Sequence, residues 1–410
     1  MSAIELHPTF TSEKLTINVI QNLIITTKFH RMKKLFLSMF VASSLIASAT
    51  VRTVNNNPAG LAQFSDLQAA MNASSSGDTI LIHGSASSYG NAEFIDKRLT
   101  IIGPGISPER DGPIVTARVN FIQVANINTG NSNGSAFIGI EFTSELRISN
   151  NGSGNVGYPV DGVKVIRNKF TNAVLALNAG NNYGSIHMQN LFVEGNYLQS
   201  STIASASSSY YFTNCTFINN VFARSNGFGG SLANFNNCTN VVFDHNVFYG
   251  NQADGNRLFD NYGLGLTFKN NVFVNVNTSN THPNGSVNIF NNYFQNNITY
   301  NCTNNSPWTV GTNLNGGGNI VNQNPLLGSQ ADIDAGTFNP LLDFSIPSGP
   351  ANNSATDGKD MGVLFDETST MNWAYGRNSR LPYIYSMNVL NTSVPAGGVL
   401  NIQLNARKAK

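Results

Sequence analysis

Apolar and polar residues alternate along the middle of this chain in a pattern that returns every 21 to 28 residues. Segments beginning at Val163, Leu191, Cys215, Val241, Leu266 and Val287 share one form: apolar, any, apolar, two residues, Asn, any, Phe or Leu. The asparagines are Asn168, Asn196, Asn220, Asn246, Asn271 and Asn292. The residues two beyond them are Phe170, Leu198, Phe222, Phe248, Phe273 and Phe294. Strand side chains alternate between faces, so Val241 and Phe243 are expected inward and Val242 and Asp244 outward. A period of this length predicts a solenoid whose coils stack on one continuous core. The Asn is expected to sit at a sharp corner in left-handed backbone, which its short polar side chain tolerates. Stacked coils lie about 4.8 Å apart, so equivalent amides should hydrogen-bond up and down the stack as a ladder. A disordered Asn-rich tract would not keep apolar residues in register.

Composition narrows the partners. Of 410 residues, 41% are hydrophobic and 11% charged, with a net charge of +1. Typical domains carry roughly a quarter charged residues, so the outward faces here are mostly Ser, Thr and Asn. No basic stripe is present, which argues against a nucleic-acid partner. Cys215, Cys238 and Cys302 each lie in an Asn-Cys-Thr triplet. Cys215 and Cys238 fall at different offsets in the repeat, so stacking does not align them for a disulfide. All three read as packing residues, with no metal or redox spacing.

The N-terminus reads as a secretion leader. Lys33 and Lys34 precede an apolar run from Leu35 to Ile46, and Ala47-Ser48-Ala49 supplies small residues for cleavage. Met32 is the natural start, which makes 1–31 a mis-called extension and 32–49 the signal peptide. The run is too short to span a bilayer, which takes about 20 apolar residues. The mature chain is thus expected to begin near Thr50 and to be secreted or held at the cell surface, without stable membrane insertion.

Two ends frame the repeats. Near the start stand Phe64-Ser65-Asp66-Leu67-Gln68-Ala69-Ala70 and Gly77-Asp78-Thr79-Ile80-Leu81-Ile82, followed by Leu99-Thr100-Ile101-Ile102-Gly103-Pro104-Gly105. Ser65 can N-cap a helix with Leu67, Ala70 and Met71 as its apolar face, and Gly77 can stop it. Near the other end stand Asn324-Pro325-Leu326-Leu327, Asp343-Phe344-Ser345-Ile346-Pro347-Ser348-Gly349-Pro350-Ala351 and Asp360-Met361-Gly362. In these segments the chain resembles the pectate-lyase-like superfamily of right-handed parallel β-helices, over about residues 54–365. The resemblance implies an all-β fold, with a helix covering the first coil and the later segments forming the closing coil. It implies function only broadly, because the superfamily hosts lyases, hydrolases, epimerases, adhesins and phage tailspikes. The β-helix is expected over 50–365. Residues 366–410 are expected to form a C-terminal cap, with two strands between Ile384 and Leu404 around Pro395-Ala396-Gly397-Gly398.

The repeat also supplies a frame for chemistry. Two positions before the ladder Asn, the outward row reads Ile166, Glu194, Ile218, Asp244, Lys269 and Phe290. Stacking would put Asp244 beside Lys269, and Glu194 about 10 Å from Asp244. An inverting hydrolase uses two carboxyls roughly 6.5–9.5 Å apart, and this pair sits at the edge of that window. A lyase instead needs a base beside a uronate, and Lys269, Arg257 or Arg224 could supply it. Such lyases commonly use Ca²⁺ held by clustered carboxylates; no dense carboxylate cluster is evident, so no cofactor is expected, with Ca²⁺ kept as the alternative. His245 and Asp260 would add polar contacts. Tyr197, Tyr249 and other outward tyrosines would edge a glycan track. The plain alternative is that Asp244 and Lys269 form only a surface ion pair. Two functions therefore compete. One is binding, with or without cleavage, of an extracellular polysaccharide, and the other is a non-catalytic adhesive or structural role. Short loops between repeats favour a shallow face over a walled cleft.

Overall fold

A computed structural model describes residues 49–365, apart from 59, 108–114, 128, 150–159, 178–186, 206–210, 225–229, 252–256 and 279–287, together with Trp373, 382–389, 397–399 and 402–408. The extension and leader read from the sequence lie outside the described residues. The chain divides at Ala49 into two compact units, and the second, Thr50–Lys410, carries the solenoid. It is a right-handed parallel β-helix with three faces. Each central coil lays a strand on the first face, turns, lays a second, turns again, and lays a third. Lys164–Ile166, Lys169–Thr171 and Val174–Leu177 form one such coil. The first face runs in parallel from Val51–Val54 to Leu314–Asn315. The second and third faces meet in the long strand Ile140–Ser149. Its start pairs with Lys169–Thr171 and its end with Val174–Leu177.

Stacking in register places like residues on like. Phe217, Phe243, Phe268 and Phe294 form one column with ring centroids 4.4, 5.0 and 5.1 Å apart. Phe222, Phe248 and Phe273 form another at 4.4 and 5.0 Å. Among the described residues the expected inward positions, Val241 and Phe243 among them, are buried; Val287 lies outside the described residues. The cysteines are free, with Cys215 and Cys302 buried in the core. Cys215 lies beside Val241 and Cys238 beside Phe212, as their different offsets required. Burial pushes the Cys215 thiol up to about 11 and that of Cys302 to about 12.

The asparagine ladder exists, with two corrections. Its links are Asn168 to Asn196, Asn220, Asn246, Asn271, Asn297 and Asn319, each Nδ2 donating to the next Oδ1 at 2.8–3.1 Å. Each Oδ1 also accepts the preceding ladder residue's backbone N–H, as Asn246 does from Asn220 at 2.9 Å. Asn292 belongs to a different corner, where its Oδ1 accepts from Leu266 N. Phe294 pairs with Phe268, which makes Gln295, not Phe290, the sixth member of the outward row. The left-handed residue is the one before the ladder Asn: Arg167, Gly195, Asn219, His245, Asn270 and Asn296 all have φ between 48° and 65°. The turn is made one residue early, which leaves the ladder amide free to point along the stack.

The N-terminal helix α1, Leu67–Ala73, covers the first coils and buries Leu67, Ala70 and Met71. Its N-cap is Asp66, not Ser65: the Asp66 carboxylate accepts from Ala69 N at 2.6 Å. The helix ends at Ala73 with Ser74 as its cap, before Gly77. The Gly-Asp turn beyond has its own role. Asp78 is 2% exposed and accepts from Thr50 N, Ser75 N and Arg52 Nε. Burial alone would raise its pKa, but these hydrogen bonds and the Arg52 charge hold it below the ordinary carboxylate value.

The largest departure lies at the C-terminal end. Residues 326–365 do not form a closing coil. They run back along the outside of the helix as a strap, with one short helix α2, Gln330–Asp334. Leu327, Ile333, Phe344, Ile346, Met361 and Val363 pack on the outward row Tyr197, Val221, Val247, Val272 and Ile298. The left-handed corner row holds the strap's edge. Asn296 Nδ2 donates to Ser354 O, Asn270 exchanges two bonds with Thr356, and Asn219 Oδ1 accepts from Leu364 N. Trp373 Nε1 donates to Asn219 O, and its ring lies 5.7 Å from the Arg167 guanidinium. Further on, Pro382–Val389 and Ile402–Lys408 pair as an antiparallel hairpin.

Candidate functional site

The first-face row has the expected register but not the expected openness. Glu194, Ile218, Asp244 and Lys269 are successive neighbours, which sets Glu194 and Asp244 two coils apart. Glu194 is 8% exposed, so this carboxylate does not line an open groove. Asp244 is engaged on two sides. Its Oδ2 lies 3.0 Å from Lys269 Nζ, and its Oδ1 accepts from Asn270 Nδ2 at 2.8 Å. His245 is buried at the corner under the strap. Its Nδ1 is 3.5 Å from Asp244 and its Nε2 is 3.4 Å from Asp357. Burial pushes the imidazole below its ordinary value, against the pull of both carboxylates; Lys269 and Lys359 push the same way as burial.

The remaining candidates do not gather on that row. A coil has three sides, and Arg224 and Arg257 sit at the second corner, with the whole second face between them and Asp244. Both are buried, and Arg224 Nη1 donates to Ser201 O and Thr202 Oγ1. Asp260 stands on the third face opposite Ala233, with its side chain outside the described residues. The tyrosine track is corrected as well. Tyr197 and Tyr249 lie under the strap, 0% and 1% exposed, with their hydroxyls 2.9 Å apart. Their outward position is the one the sequence predicts, but the strap supplies the apolar cover that a glycan would have supplied.

An open charged cleft lies elsewhere on the second face, beyond the strap. It encloses about 340 Å³ and is lined by Ser85, Ala86, Val115, Thr116, Arg118, Glu141 and Lys169. Arg118, Glu141 and Lys169 are cross-strand neighbours from three successive coils. Glu141 is 3% exposed and forms the floor. It accepts from Thr116 Oγ1 and from Thr171 Oγ1 at 3.2 Å. Arg118 Nε and Lys169 Nζ lie 3.5 and 3.4 Å from its oxygens. Burial would raise the Glu141 pKa, but the Thr116 bond and the two cations together hold it below its ordinary value. The carboxylate is thus ionised at neutral pH and fixes both cations at the mouth. The Arg118 side chain is 47% exposed, the more open of the two. On the third face of the same long strand, Arg147 pairs with Glu145 at 2.8 Å and lies over the Phe121 ring at 4.9 Å.

Sequence reasoning missed this group because the coil before Val163 carries Ile140 where the others carry the ladder Asn. Ile140 N nonetheless donates to Asn168 Oδ1, and Gly139 supplies the left-handed residue with φ 68°. One signal was available. The slot after the ladder position holds Lys169 in one coil and Tyr197, Val221, Val247 and Val272 in the next four.

Among the described residues, no group of three or more His, Cys, Asp or Glu is placed to hold a metal ion. No described helix is long and apolar enough to cross a membrane. No family model matches the chain, and no curated protein matches it. Solved structures similar to it include the crystal structure of pectate lyase Pel9A, at 15% identity and a TM-score of 0.37, covering 82% of this chain and 98% of that one.

Proposed function

We propose that the protein binds an acidic polysaccharide outside the cell, on the uncovered part of its second face. The observation that carries this reading is the cleft in which a buried, ionised Glu141 presents Arg118 and Lys169 together. Two cations around one carboxylate leave an excess positive charge at the mouth, and a guanidinium matches a carboxylate or sulfate in two parallel hydrogen bonds. The extracellular setting follows from the leader read at 32–49.

The charges support binding more than cleavage. Glu141 is ionised and enclosed, so it is a poor proton donor for a glycosidic oxygen. Of the carboxylates on the first-face row, Glu194 is buried and Asp244 is already paired with Lys269. The test is binding of the chain from Thr50 to a panel of uronic-acid and neutral polysaccharides, with and without Ca²⁺, while following new reducing ends and unsaturated uronate absorbance. The expected result is retention on acidic polymers, weakened by salt, with neither product signal. Equal retention on neutral polymers, or none at all, would contradict the proposal.

A further inference from the structure

We propose that the second corner of the helix holds a small oxyanion, bound by Arg257 with Arg224 as its neighbour. The two arginines belong to adjacent coils. Arg224 N donates to Tyr249 O, as Gly250 N does to Val274 O one coil on, so Arg224 and Gly250 share one turn position. Arg257 opens the third-face strand of the Gly250 coil, between Gly230 and Asn277. Coils rise by about 4.8 Å, so the two arginines enter one corner from adjacent coils. They are 4% and 5% exposed.

Their surroundings are polar. Ser201, Ser231, Asn277 and Thr278 are also buried at this corner. Arg224 spends Nη1 on Ser201 and Thr202. Arg257 has both Nε and Nη1 buried without a hydrogen-bond partner. No carboxylate among the described residues is paired with it. A guanidinium stays charged in a protein and cannot escape the cost of burial by losing its proton. A buried cation with two idle donors is strongly unfavourable unless an anion joins it. Nε and one Nη are the edge of the guanidinium that grips a carboxylate, sulfate or phosphate through two bonds. The shared chemistry is an oxyanion, either free or carried on a sugar, and this proposal does not depend on the Arg118–Lys169 cleft.

The test is thermal unfolding of the folded chain with sodium sulfate, sodium phosphate or galacturonate, each titrated against chloride at matched ionic strength. Wild-type protein should show a saturable rise in midpoint with at least one of them. R257M should lose the saturable part and keep only the general salting effect of sulfate and phosphate. Without added oxyanion, R257M should melt at or above the wild-type midpoint, because Met removes an unpaired buried charge. A purely structural arginine would behave in the opposite way, with R257M melting well below wild type. A rise with inorganic ions alone would assign a free ion, and a rise with galacturonate alone a sugar carboxylate. No saturable rise in wild type, or an unchanged rise in R257M, would overturn the proposal. If R257M does not fold, calorimetric titration of wild type with sulfate, phosphate and galacturonate decides, because no heat of binding with any of them would also overturn it.

Discussion

The second face of this helix is one surface used in two ways. From Tyr197 onward its outward row is Tyr, Val, Val, Val and Ile, all buried beneath the strap. Before Tyr197 the same row is Arg118, Glu141 and Lys169, and it opens into a cleft. The backbone pairing is continuous across the boundary. What changes is the side chain in a single slot per coil, and with it the partner: the chain's own C-terminal segment on one side, solvent or ligand on the other. An outward position on a solenoid is therefore not the same as a surface position. The composition of the row decides which of the two it is.

Four expectations sharpen or break that contrast. The largest effect belongs to the covered half. Phe344 is fully buried, 5.8 Å from Tyr249 and 5.9 Å from Trp373. F344A should cost about 3–5 kcal/mol in urea unfolding, with the strap exchanging its amide protons faster than the coils. A cost under about 1 kcal/mol would mean the strap adds little to packing.

The ladder runs beneath both halves. Asn246 accepts from Asn220 and donates to Phe217 O and Asn271 Oδ1, all buried. N246A should cost about 2–4 kcal/mol, because it leaves buried donors and acceptors unpaired. In the open half the penalties are smaller. E141Q should cost about 1–3 kcal/mol, the scale of hydrogen bonds to a charged group.

The pH dependence follows from the same residue. Glu141 has a folded pKa below its ordinary value of 4.5. The unfolded chain then binds the proton more readily, so this contribution is complete above about 4.5 and is lost as the pH falls through the folded value. Asp78, also lowered, acts in the same direction. Wild-type stability should decline with acid below about pH 4.5, and E141Q should decline less steeply. Matching profiles would show that Glu141 gains nothing from its cations.

Much of the architecture was legible because it repeats. Alternation placed Val241 and Phe243 inward, and the period supplied the ladder from Asn168 to Asn271 and the row from Glu194 to Lys269. The pattern failed where a residue of different chemistry filled an equivalent position, as Ile140 does for the ladder Asn. It failed again where two corners both used Asn, which misplaced Asn292. The site was harder to read. Tyr197 and Arg257 occupy outward or corner positions by local rule, and only the return of the chain from residue 326 onward, or the third side of the coil, determines what they face. Contacts between residues 145 to 154 apart, such as Asn219 with Leu364 and Trp373, leave no local trace.

The measurement that tests the central claim most directly is the affinity of wild type and the R118A/K169A double variant for a uronate polysaccharide at low and moderate salt. Both side chains are partly exposed but Glu141 is buried, so removing the two cations leaves its carboxylate on the threonine hydrogen bonds alone and should cost at least about 1–3 kcal/mol of stability; binding is compared once the double variant is shown to be folded. Its affinity should fall about 10- to 100-fold, each charged contact being worth up to about tenfold, and the salt dependence should flatten. If the double variant binds as tightly as wild type, the open cleft is not where the polysaccharide sits, and the contrast between the two halves of the face is structural only.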